Sequence, residues 1–329
     1  MRYLITIILI CSLVQVYGRD DLRKVVDLKG YWKFSIGDNP RWSEPNFNDY
    51  TWDEIYVPST WEEEGFNGFD GYAWYRINVD LSNVNIENLY LILGYIDDVD
   101  EVYINGELIG FTGGFPPNFY TAYQSFRKYY ISPNILNPNG KNIIAIRVYD
   151  TVREGGIVKG DIGLYAPKYD QVTQLKLEGV WRFKEGDDWS WKEYDYSDKD
   201  WSKTMVPSYW GNQKHLKMQE HIAWYRKDFE LTDNLKSEEE LVLVMGLIDD
   251  FDKTYLNGQL IGYTNDGEPF GHSNSFERYR IYVIPNSVLR RDGKNVISVR
   301  VRDIGGNAGI YAGPLTIGSI RNFKRLINP

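Results

Sequence analysis

Three constellations in this chain combine residue types that could do chemistry. Asp97, Asp98 and Asp100, and again Asp249, Asp250 and Asp252, place three carboxylates within four positions. Such oxygen-only sets are what calcium prefers. The same acids could instead make internal ion pairs or cap turns, with Arg76, Arg147, Arg226 and Arg300 as available cations. Their place just before a strand suits that second use better, so no metal ligand is assigned and no cofactor is expected, calcium being the one ion the carboxylates could take. His215, His221 and His272 are the only histidines, and their spacing matches no usual zinc pattern. Gly271-His272-Ser273-Asn274-Ser275 falls one glycine short of a nucleophile elbow and lacks the strand-turn-helix context that strains such a serine. It reads as a polar loop, and no catalytic residue is assigned.

Aromatic residues are the other chemical resource. They make up 16% of the chain, with 26 Tyr and 11 Trp. Rings at that density serve a large core or stack on a flat apolar ligand face such as that of a sugar. Trp42, Trp61, Trp191 and Trp210 flank loops and are candidates for sugar stacking. The loop from Phe111 to Phe126 adds Phe115, Phe119, Tyr120 and Tyr123 around Gly113-Gly114 and Pro116-Pro117. Two readings of it stay open: a stacking platform, or a plug that buries its rings on the neighbouring domain. Farther along, Asn265-Asp266-Gly267-Glu268-Pro269 is a polar loop where that one is aromatic.

The elements that must position these residues occur twice. Leu28-Lys29-Gly30-Tyr31-Trp32-Lys33-Phe34 returns about 150 residues later as Leu177-Glu178-Gly179-Val180-Trp181-Arg182-Phe183. Val57-Pro58-Ser59 returns as Val206-Pro207-Ser208, Ala73-Trp74-Tyr75-Arg76 as Ala223-Trp224-Tyr225-Arg226, and the acidic triplets correspond. A period of that length is a whole domain rather than a solenoid unit. Ten of the eleven tryptophans fall in pairs between the copies. What both copies keep is most simply core, so Trp32, Trp52, Trp74 and their partners are expected inside. The segments between turns are short and rich in β-branched and aromatic residues. Asn105-Gly106 and Asn257-Gly258 each sit between two such runs, a strong hairpin signal because both central residues need positive φ. Without sustained helical periodicity, the expectation is all-β: two tandem antiparallel β-sandwiches. They should occupy residues 19–166 and 175–319, with a linker at 167–174 and a tail at 320–329.

Residues 1–18 read as an export signal, with Arg2, an apolar run from Leu4 to Val16 and small Gly18 before the cut. The expected location is secreted or periplasmic. Cys11 invites a lipid anchor, but Ile10 stands where such a site wants a small residue. It is also the only cysteine, so the domains should hold together by packing without disulfides. No later stretch nears the ~20 apolar residues of a membrane-spanning helix. The formal net charge is -9, which argues against nucleic acid as a partner.

The string Gly-x-Trp-x-Phe, Val-Pro-Ser-x-Trp, Trp-Tyr-Arg, Gly-x-Ile-Asp-Asp-x-Asp and Asn-Gly-x-x-Ile-Gly, closed by Asn-x-Ile-x-x-Arg-Val-x-Asp, resembles the sugar-binding domain of glycoside hydrolase family 2. It is also similar to the accessory domain of sialate O-acetylesterases, especially over Asp303 to Tyr311. The resemblance covers both copies and implies the galactose-binding-like jelly roll as the fold of each sandwich. In such enzymes the domain accompanies a separate catalytic module. After Gly262-Tyr263-Thr264, Asn265-Asp266 resembles the position from which the family's β-galactosidases send an Asp toward a sugar. A catalytic barrel needs ~250 residues, and both halves are already committed. The expectation is therefore a secreted carbohydrate-binding accessory of glycan degradation, not catalytic by itself. Its partners would be a glycan and a separate glycosidase chain. The alternatives are a part or truncated form of a family 2 hydrolase or of an acetylesterase, and a structural docking module.

Overall fold

A computed structural model describes residues 22–167, 174–210, 221–264, 274–305 and 308–321. The export signal with Cys11, and His215, His272, Asn265, Asp266 and Gly271 to Ser273, lie outside the described residues. The chain divides into two compact units that part between Tyr169 and Asp170. Among the described residues no helix is long and apolar enough to cross a membrane.

In the first unit, β1 (Leu22–Asp27), β11 (Gly163–Pro167), β5 (Leu89–Asp97) and β10 (Gly156–Lys159) pair in that order, with β8 (Phe126–Ile131) also on β5. A separate sheet of six strands has the order β3 (Asp53–Val57), β2 (Gly30–Ile36), β4 (Gly71–Asp80), β9 (Lys141–Asp150), β6 (Val99–Ile104) and β7 (Glu107–Thr112). The second unit repeats the plan. Its four-stranded sheet runs β12 (Gln174–Lys176), β21 (Gly309–Ser319), β16 (Leu241–Asp249), β19 (Tyr279–Ile284). Its six-stranded sheet runs β14 (Ser202–Val206), β13 (Gly179–Glu185), β15 (His221–Phe229), β20 (Asn295–Asp303), β17 (Phe251–Leu256), β18 (Gln259–Thr264).

The all-β content agrees with the sequence, but the two jelly-roll sandwiches do not. The strands are parcelled into four separate small antiparallel sheets. The physical reason is that period-2 patterning specifies strands and tight turns specify hairpins, whereas the partner of each remaining edge is a non-local choice. The hairpins themselves form as the turn residues require. Asn105 and Gly106 sit at φ 50 and 88, and Asn257 and Gly258 at 49 and 86. Each asparagine then ties its turn to the next strand: Asn105 Nδ2 donates to Asn142 Oδ1 and Asn257 Nδ2 to Asn295 Oδ1, both at 2.8 Å.

Side-chain alternation decides which face is core. In β15, Ala223 and Tyr225 join Trp181, Leu243, Met245, Val299 and Leu315 in one apolar cluster drawn from both sheets of the unit. Trp224, between them, points to the opposite face and packs with Trp191, Trp201 and Tyr255. That opposite face carries the candidate site. Where β5 and β16 slip register, Gly94 and Gly246 take positive φ, and a Cβ there would lie 2.2 Å from the Lys159 carbonyl oxygen and 1.9 Å from that of Ala312. Only glycine allows that approach.

Candidate functional site

The outer face of the six-stranded sheet is built on one arginine in each unit. In the first, Arg147 donates to Asp38 at 2.8 and 2.6 Å and to Glu101 at 3.0 Å, and the Trp74 indole N–H donates to Asp38 at 3.1 Å. Burial alone would raise the Asp38 pKa, but the Arg147 and Trp74 hydrogen bonds outweigh it and hold the carboxyl below its ordinary range. The aromatic loop after β7 closes this face. Phe115 stacks on Tyr72 with centroids 5.9 Å apart and planes 9° from parallel, and the Arg147 guanidinium lies 4.4 Å from the Phe115 centroid. Phe119 meets Tyr149 edge-on at 5.7 Å. These rings fold back on their own unit.

In the second unit Arg300 grips Asp187 at 2.6 and 2.7 Å, the counterpart of the Arg147–Asp38 pair. Around it the residues differ: Lys253 stands where the first copy has Glu101, Arg302 where it has Tyr149, and Ile222 where it has Tyr72. Trp189 replaces Pro40, is 47% exposed, and has Lys253 and Arg300 over its ring at 5.0 and 5.2 Å. Arg302 lies over Phe251 at 6.0 Å. Ile222, Phe251, Lys253, Tyr263, Arg300 and Arg302 line an open groove of about 550 Å³, in which Tyr263 is 62% exposed. Exposed rings can take the apolar face of a sugar. Ammonium and guanidinium groups beside them can take a carboxylate or sulfate.

Among the described residues none of the sequence candidates lines this groove. Trp61, Trp191 and Trp210 are buried, the first wholly, with the Trp61 N–H donating to the Tyr75 hydroxyl at 2.6 Å and that of Trp210 to Tyr225. Trp42 packs on Trp52 at 5.0 Å and Trp74 at 6.2 Å. Trp61, Trp191 and Trp210 are thus enclosed by protein, and Trp42 is partly buried. Tyr120 is half-buried, its backbone bridged to Gly114, and Tyr123 is exposed and accepts from Gln124 at 2.9 Å. The groove residues Lys253, Tyr263 and Arg302, and Trp189 beside them, were missed by reasoning from what the copies share. The signal was in what they do not share: Trp189 is the one unpaired tryptophan of the eleven.

The acidic triplets divide in a way the sequence did not foresee. Asp100 and Asp252 leave the triplets for buried ion pairs, Arg127 Nε–Asp100 at 2.7 Å and Arg280 Nε–Asp252 at 3.0 Å, with all four side chains at 0% exposure. Tyr129 and Tyr282 donate to the same carboxylates at 2.6 and 2.8 Å. The repeated Arg-x-Tyr at 127–129 and 280–282 was the available signal. Arg76 and Arg226 pair instead with Asp49 and Asp198 at 2.8 and 2.9 Å. In place of the departed acids, Asp150 joins Asp97 and Asp98, and Asp303 joins Asp249 and Asp250, with carboxylate oxygens within 4.8 Å of one another. Burial first and Asp98 second push Asp97 up to about 6, burial and both neighbours push Asp150 up to about 7, and burial with Asp250 does the same for Asp249, to about 7.

Residues 199–306 match the family described as glycosyl hydrolase 2 galactose-binding domain-like. A protein of Formosa agariphila that carries the name beta-glucuronidase is 29% identical over 174 residues, which are 49% of this chain and 16% of that protein. Among solved structures, a Bacteroides uniformis beta-glucuronidase is 15% identical over 88% of this chain and 28% of its own, with a TM-score of 0.37. A family 2 glycosyl hydrolase from Bacteroides cellulosilyticus is 11% identical over 84% and 31%, also at 0.37. Residues 199–306 are thus similar to a domain of glycoside hydrolase family 2, and the chain spans less than a third of the length of each of these proteins.

Proposed function

We propose that this chain is an exported carbohydrate-binding accessory of glycan degradation, and that it binds an acidic glycan in the groove of its second unit. The observation that carries the reading is one groove lined by the exposed ring of Tyr263 and the basic groups Lys253, Arg300 and Arg302, with the exposed Trp189 packed against Lys253 and Arg300 beside it. A sugar ring would stack on an aromatic face while its carboxylate or sulfate meets the cations. Family 2 relationship through residues 199–306 supports a glycan as the ligand class, since that match covers most of the groove. Bond cleavage would belong to a separate catalytic chain.

The second reading is a portion of a family 2 hydrolase of beta-glucuronidase type, favoured by the much greater length of the Formosa protein. One experiment separates the two. The protein is run through affinity gels cast with neutral and with acidic polysaccharides, alongside a chromogenic glycosidase panel. Retardation by the acidic gel that Tyr263→Ala weakens, without turnover, is the expected result. Turnover of a glucuronide would replace the first reading by the second, and equal mobility in all gels would remove the groove from consideration.

A further inference from the structure

We propose that Asp97, Asp98 and Asp150 of the first unit form a calcium site. Their carboxylate oxygens lie within 4.8 Å of one another, the span that ligands about 2.4 Å from a shared calcium ion can bridge. The decisive member is Asp150. It is wholly buried, and neither of its oxygens meets a donor in hydrogen-bonding geometry; the N–H groups of Val152 and Thr151 favour its anion only from outside that geometry. A buried carboxylate left without a partner is costly, and native proteins supply one.

Among the described residues no side chain does so. Asp98 is fixed as an acceptor: the Thr151 hydroxyl and N–H donate to its Oδ2 at 2.9 and 3.3 Å, and the Thr121 hydroxyl donates to Oδ1. Arg127 is the cation that acts on Asp97, but its hydrogen bonds go elsewhere. Its Nε goes to Asp100 at 2.7 Å and its Nη atoms to the carbonyls of Ala122, Ser125 and Asp98 at 2.6, 2.5 and 2.8 Å. Among the described residues no lysine or arginine pairs with any of the three acids. An all-oxygen, carboxylate-rich set calls for a hard cation, and calcium tolerates its irregular geometry better than magnesium, which demands a near-ideal octahedron. The ion would tie the end of β5, the end of β9 and, through Thr121, the aromatic loop that closes the outer face.

The test is titration calorimetry of the EDTA-treated, dialysed chain with calcium chloride, beside Asp150→Asn. Saturable binding with a Kd below about 1 mM is expected, with one equivalent lost or weakened at least about tenfold in the variant. Asp97→Asn, at a half-exposed position, should show the same loss if Asp150→Asn fails to fold. The assignment is overturned by the absence of saturable binding up to about 10 mM calcium, by unchanged binding in a folded variant, or by magnesium binding as tightly as calcium.

Discussion

The two six-stranded sheets share a frame and differ on their outer faces. Both hold an arginine on an aspartate, Arg147 on Asp38 and Arg300 on Asp187, and both stack a tyrosine on a tryptophan, at 5.6 and 5.7 Å. In the first unit Glu101 completes the ion pairs and Phe115 and Phe119 cover the face. In the second, Lys253 and Arg302 make the face basic and Trp189 and Tyr263 are exposed on it. The two units keep in common what the fold requires and differ in the residues their outer faces present. A difference between copies is therefore more informative about function here than a similarity.

Breaking the shared part should have the largest effect. Arg127→Met and Arg280→Met each leave a buried aspartate, Asp100 or Asp252, without its cation, which costs on the order of 3–5 kcal/mol. Denaturant melts should show similar losses for the two variants; a large effect in only one unit would mean that the frames are not equivalent.

A smaller stability effect sharpens the contrast at Lys227, which stands where the first copy has Ile77. Its ammonium donates to the Val180 carbonyl at 2.8 Å, and burial lowers its pKa from 10.5 to about 8. The folded-state value lies below the unfolded one, so the cost of charging it is full below about 8 and fades as pH rises toward 10.5. Lys227→Ile should raise stability by roughly 1–3 kcal/mol at pH 7, with the gain shrinking between pH 8 and 10.5. Thermal melts across that range check it, and a gain independent of pH would assign the effect to packing alone.

The least costly change tests the ligand. Lys253→Glu installs the first copy's residue and should weaken retention by an acidic polysaccharide about tenfold, ~1.4 kcal/mol, while leaving stability nearly unchanged. The loss should diminish as salt is raised, because screening removes what the charge contributes. Unaltered retention at low salt would move the binding site off this face.

Strands, hairpins and the duplication were legible because they are local or self-referential: β-branched runs, Asn-Gly turns, and two copies that can be laid side by side. Burial of Trp32, Trp74 and their partners was legible for the same reason. Trp61, Trp191 and Trp210 were harder, because a tryptophan beside a loop can turn either way and only the surrounding packing decides. Asp150 could not be joined to Asp97 from spacing, since the two lie 53 positions apart in the chain, and only the fold brings the neighbouring Thr151 to the Asp98 Oδ2. It arrives there because β9 pairs with β4 and β6 and ends beside β5.

The sequence by itself determined the all-β character, the two-fold repetition, the turn geometry and the relationship to a sugar-binding domain, all of which depend on residues near one another or on comparison of one copy with the other. Only the tertiary structure decided the parcelling into four sheets, the diversion of Asp100 and Asp252 to Arg127 and Arg280, and the gathering of Lys253, Tyr263, Arg300 and Arg302 around one groove. Those outcomes depend on which distant strands pair and in what register, and that is settled by the packing of the whole chain rather than by any segment of it.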